Sequence, residues 1–149
     1  MRLGAGGRIL VAGTARQNTS GAKTKIALAR YTSNGSIDTS FSTNGKTTTS
    51  IGSGIAGYGL GIEPAGGIVV VGTIGTQPPH FDIAVVRYTP AGDLDTGFGT
   101  GGIVRTDLGG DERAYGMRVQ GNGRVVVAGV GWPHGSLVSH FLLARYLAA

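Results

Sequence analysis

Cysteine is absent from the 149-residue chain, which excludes disulfides, a thiolate nucleophile and a zinc–thiolate site and leaves the redox compartment open. Charged residues are sparse, at 14%, and aromatics contribute 7%. Apolar runs are short, four to six residues, where a membrane-crossing helix needs roughly 20, so no span is expected. The opening Met1-Arg2-Leu3, followed by glycines and Ile9-Leu10-Val11-Ala12, lacks the apolar core and cleavage region of a signal peptide. Export, if it occurs, is expected to be encoded elsewhere. Stretches free of glycine are scarce as well. The 29 glycines make up about a fifth of the chain against a usual share of roughly 7%. Each costs about 1 kcal/mol in a helix interior relative to alanine, which excludes a helical bundle and leaves short strands and tight turns.

With 40% hydrophobic residues, the chain can bury enough apolar surface to offset its ordering entropy. Thirteen Lys+Arg against eight Asp+Glu leave a net charge of +5, which permits an acidic partner without requiring one.

Self-similarity decides the architecture. Arg30-Tyr31 returns as Arg87-Tyr88 and as Arg145-Tyr146. Asp38-Thr39-Ser40-Phe41 returns as Asp95-Thr96-Gly97-Phe98, and Tyr58-Gly59 as Tyr115-Gly116. Ile9-Leu10-Val11-Ala12-Gly13, Ile68-Val69-Val70-Val71-Gly72 and Val125-Val126-Val127-Ala128-Gly129 are three copies of one β-branched run. Each unit reads as four strands, a to d, separated by Gly or Asn/Asp turns. Strand a is placed at 58–63 and 115–120. Strand c is placed at 26–31, 83–88 and 141–146, and strand d at 46–50 and 103–107. Between strands a and b, Ala65-Gly66 and Asn122-Gly123 are expected to form two-residue hairpin turns, and Asn34-Gly35 and Ala91-Gly92 mark the turn that follows strand c. Residues 136–149 have a near-helical apolar spacing, but repeat register places a strand there.

Four-stranded antiparallel units recurring every 40 to 60 residues are the pattern of propeller blades, which must stack to bury both faces. The expectation is an all-β, propeller-type array of about three blades in one domain, 1–149. Its units are approximately 1–50, 58–107 and 115–149, clipped at both ends, forming either an open arc or half of a six-bladed ring. The Arg-Tyr pair, the turn glycine, the Asp-x-x-Phe segment and the glycine before strand d (Gly45, Gly102) together resemble the bacterial Delta-60 repeat family. That resemblance implies a β-propeller belonging to exported or surface proteins, and it brings no catalytic motif.

The a–b and c–d turns keep their length, whereas the b–c segments 14–25, 73–81 and 130–139 and the d–a segments 51–57 and 108–114 vary. In a propeller with strand a innermost these variable segments share one end, where a ligand is expected. His80, His134 and His140 lie in or beside them, with Asp82, Asp111, Glu112 and Arg113 nearby. A metal or acid–base pair is conceivable there, but the spacing fits no metal or hydrolase motif, and no metal or cofactor is expected. Trp132 is either a stacking platform or a packing residue. Arg30 and Arg87 each precede an aspartate, Asp38 and Asp95, by eight residues, so a repeated bidentate Arg–carboxylate pair is expected to pin the c–d connection. With Tyr31, Phe41, Tyr88, Phe98, Arg145 and Tyr146, these are read as structural repeat positions. Arg16, Lys23 and Lys25 cluster without interleaved aromatics, which disfavours nucleic acid. The overall reading is a non-enzymatic scaffold or binding module for a protein or glycan. Its open flanks would be covered by a second copy head to tail or by neighbouring blades of a longer chain. A hydrolase or lyase at the channel mouth is the alternative.

Overall fold

The computed structural model describes residues 1–16, 21, 23–52, 54–75 and 81–147. The first sheet contains β1 (Arg2–Leu3), β2 (Ile9–Ala15), β3 (Lys25–Tyr31) and β4 (Lys46–Thr49). The middle sheet contains β5 (Ile55–Ile62), β6 (Ile68–Ile74), β7 (Asp82–Tyr88) and β8 (Ile103–Thr106). The third contains β9 (Gly110–Val119), β10 (Val125–Pro133) and β11 (His140–Tyr146). Each is an antiparallel meander in chain order. The expected blade-like repetition is therefore present, and 141–146 is strand. A single 3-10 turn, Ala5–Gly7, is the helical element among the described residues.

Two local expectations need correction. Strand a starts earlier than its glycines suggested, at Ile55 and Gly110, and β10 runs on to Pro133. Much of the stretch read as variable loop is thus paired backbone. A bulge permits the extension: the pairing skips one residue at Tyr58 and again at Tyr115, which bends the inner strand while its ladder continues. The hairpin turns are also one residue longer than expected. Glu63 N donates to Gly67 O at 2.8 Å and Gly66 N to Glu63 O at 2.8 Å, closing a three-residue loop whose last residue, Gly66 (φ 89°), is left-handed.

Alternation along the strands assigns the packing. Leu10, Ile26 and Leu28 of the first sheet meet Leu60, Ile68, Val70, Ala84, Val86 and Tyr88 of the middle sheet in one apolar cluster. The opposite side of the middle sheet, Val69, Val71, Ile83 and Val85, meets Val125, Val127 and Leu142 of the third. Each strand of β6 and β7 therefore feeds two cores, one through its odd and one through its even positions. The inner strands approach closely at Gly59, where a Cβ would collide with the Met117 side chain. That contact explains why the inner strands are glycine-rich.

Candidate functional site

Two ends of the sheets differ in construction, and the c–d end is built by repetition. Arg30 Nε donates to Asp38 Oδ2 at 2.8 Å, and Arg87 Nε to Asp95 Oδ2 at 2.8 Å. Each guanidinium lies over a phenyl ring, Phe41 or Phe98, with 4.6 Å to the centroid in both. The backbone contacts repeat too: Asp38 N to Arg30 O and Phe41 N to Asp38 O are matched by Asp95 N to Arg87 O and Phe98 N to Asp95 O. The fork is used differently from the bidentate clamp expected. Arg30 Nη1 reaches the carbonyl of Pro90 in the next sheet at 2.9 Å, and Nη2 reaches Ser40 Oγ at 3.2 Å. One arginine therefore ties its own turn and the neighbouring blade. Asp38 also accepts from Arg8 at 3.1 Å. The Ser40 hydroxyl, 2.6 Å away, and Arg30 hold its carboxyl down at about 2, against the opposing effect of burial. Arg145 is exposed in the third sheet.

A second repeated contact escaped the sequence reading. Tyr88 Oη donates to Thr49 Oγ1 of the preceding sheet at 2.8 Å, and Tyr146 Oη lies 2.7 Å from Thr106 Oγ1. The recurrence of Thr49 as Thr106 in strand d was the available signal. Burial raises both phenols, that of Tyr88 to about 12.

The opposite end is irregular. His134 N donates to Gly109 O, so the b–c and d–a connections of the third sheet share this end. Phe81 N donates to Asp111 Oδ1 at 3.1 Å, and Glu112 N to Phe81 O at 2.7 Å, joining the middle and third sheets. Arg113 is held between the rings of Phe81, at 4.7 Å, and Trp132, at 5.4 Å. Its Nε is buried and has no hydrogen-bond partner among the described residues.

Of the residues singled out from sequence, Asp111, Arg113, Trp132 and His134 converge on one cavity of about 340 Å³, completed by Pro133, Gly135 and Ser136. Asp111, Glu112 and Arg113 lie on β9, and Trp132 lies on β10, so the sheet positions them where a variable loop was expected. Glu112 turns inward. It is 2% exposed, and its carboxylate accepts from Leu108 N at 3.1 Å. Burial raises its pKa, opposed by that amide. His140, exposed at the start of β11, lines a neighbouring cavity with Trp132, Glu112 and Phe141. His80 lies outside the described residues.

Carboxylate oxygens of Asp82, Asp107 and Glu112 gather within 4.8 Å of one another. Sequence pointed to the first and last of these, and Asp107 joins them from the end of strand d. Arg105 Nη2 sits 2.6 Å from Asp82 Oδ2 and 4.0 Å from Asp107 Oδ2, supplying the positive charge such a cluster needs.

Residues 7–41 and 66–98 match the family described as "Domain of unknown function (DUF5122) beta-propeller". Over these two stretches the chain is similar to a β-propeller repeat family. Each match runs through strands b and c and ends at the phenylalanine under the arginine, Phe41 or Phe98, so the matched unit contains the repeated latch. No curated protein matches the chain. No helix among the described residues is long and apolar enough to cross a membrane.

Proposed function

We propose that this chain is a non-enzymatic binding module of the Delta-60 propeller type, and that its irregular end takes a polar ligand of the oligosaccharide class. One observation carries the reading. Trp132 forms a wall of a 340 Å³ cavity beside a carboxylate, a guanidinium, an imidazole and a serine. An aromatic plane flanked by a few convergent polar groups is the composition of a site that stacks a sugar ring and bonds its hydroxyls. Arg113 supports this, because it lines the same cavity and brings a guanidinium to it, a donor suited to ligand oxygens. The carboxylates that an acid–base mechanism would use are otherwise engaged, Asp111 by the Phe81 amide, Glu112 by the Leu108 amide and Asp82 by Arg105.

The test is an oligosaccharide array followed by calorimetry on the best binder. Trp132→Ala is expected to weaken binding roughly tenfold, with the sugar recovered intact. Absence of any binder, or a binder indifferent to Trp132→Ala and His134→Ala, would overturn the reading. Recovery of cleaved sugar would replace it with the hydrolase alternative.

A further inference from the structure

The two outward faces of this molecule are the two halves of a junction that it already contains twice. The middle sheet presents Val69, Val71, Ile83 and Val85 to the third sheet. The third sheet carries their repeat counterparts, Val126, Ala128, Phe141 and Leu143, on its own far face, and there Phe141 is 77% and Leu143 64% exposed. The middle sheet receives the first through Leu60, Ile68, Val70, Ala84 and Val86. Their counterparts on the near face of the first sheet are Met1, Ile9, Val11, Ala27 and Ala29, with Met1 77% and Val11 37% exposed. One end is a knob-bearing face, and the other is the shallower face that such knobs meet within the molecule.

Two details of the inner strands fit the same match. Gly59 leaves room for Met117 of the next sheet, and its counterpart Gly116 would meet no described atom within 4 Å if it carried a Cβ. The repeat counterpart of Met117 is Met1, so a second copy set in the same register would bring its Met1 to the hollow at Gly116. Arg2 Nε donates to Leu60 O across the first junction at 2.8 Å. The counterpart of Arg2 is Arg118, which is exposed and whose side chain makes no hydrogen bond or ion pair among the described residues. The counterpart of Leu60 is again Met1.

We infer that the third sheet of one copy docks on the first sheet of another, head to tail, with Phe141 and Leu143 packing on Ile9, Val11, Ala27 and Ala29, Met1 entering the hollow at Gly116, and Arg118 bonding the Met1 carbonyl. The contact is heterologous, so two copies that form it twice close a ring of six sheets, within the range propellers use. The joint is intermolecular, so the dimer dissociates on dilution.

Sedimentation velocity of the 149-residue chain from about 1 to 100 μM tests this. The expected result is a concentration-dependent shift from the 15.1 kDa chain mass to twice that mass and no higher. Phe141→Glu/Leu143→Glu and Gly116→Val lie on the exposed far face and are expected to remain monomeric while keeping the wild-type β-sheet circular dichroism. Val11→Glu blocks the opposite face, and mixing it with Phe141→Glu/Leu143→Glu restores one joint and a dimer of mixed composition. A wild-type monomer at the highest concentration would overturn the inference. So would open-ended polymers, Val11→Glu dimerising by itself, or far-face variants that associate like wild type.

Discussion

Strands β6 and β7 of the middle sheet are buried at every position, whereas β11 of the third sheet, the repeat counterpart of β7 and like it apolar over four central positions, alternates from Phe141 to Tyr146 between exposed and covered. Val85 is fully buried and Leu143 is 64% exposed. Arg87 lies over Phe98 and holds Asp95, while its counterpart Arg145 is exposed. The contrast shows that a strand of this repeat carries two independent apolar rows. Whether a row becomes core depends on the presence of a neighbouring sheet, since hydrophobic stabilisation scales with the apolar area removed from water.

The sharpest way to break this comparison is a charge in each of the two equivalent positions. Val85→Asp is expected to cost about 4 kcal/mol or to prevent folding, because it buries an unpaired carboxylate. Leu143→Asp at low protein concentration is expected to stay within about 0.5 kcal/mol of wild type. Urea denaturation of both reads the difference, and equal losses would mean that the third sheet is covered in the isolated chain. A smaller effect separates the latches. Arg87→Ala removes a charge-assisted bond and a ring contact and is expected to cost about 1–3 kcal/mol, against less than about 0.5 kcal/mol for Arg145→Ala. An unchanged melting midpoint for Arg87→Ala would take Arg87 out of the framework. The smallest effect is in acid. The Asp38 carboxyl is held at about 2 in the folded state against an ordinary 3.8. Its contribution is therefore complete above about pH 4 and is lost as the pH falls toward 2. Asp38→Asn is expected to flatten the stability profile across that window, as followed by circular dichroism, and a profile as steep as wild type would contradict the assignment.

The strands, their order within a sheet and the arginine–aspartate contacts were legible because each rests on local information repeated in the chain. β-Branched residues alternate between glycine turns, and Asp38 and Asp95 sit at one fixed distance from Arg30 and Arg87. The turns and strand starts were less legible. The bulges at Tyr58 and Tyr115 carry strand a upstream into segments whose glycines and charges read as loop. Least legible was the irregular end. Nothing in the spacing of Phe81, Arg113 and Trp132 announces a guanidinium between two rings, because the three come from a b–c connection, an inner strand and the far end of β10.

Period, turn chemistry and the two-sided apolar alternation are properties of neighbours along the chain, and the amino-acid order alone determined them: repeated antiparallel sheets that must stack. Which rows are dry, which arginine reaches the next sheet and which polar groups meet in one cavity depend on residues brought together from separate strands and neighbouring sheets. Only packing in three dimensions decides those, since burial and hydrogen bonding act on distance in space and not on distance along the backbone.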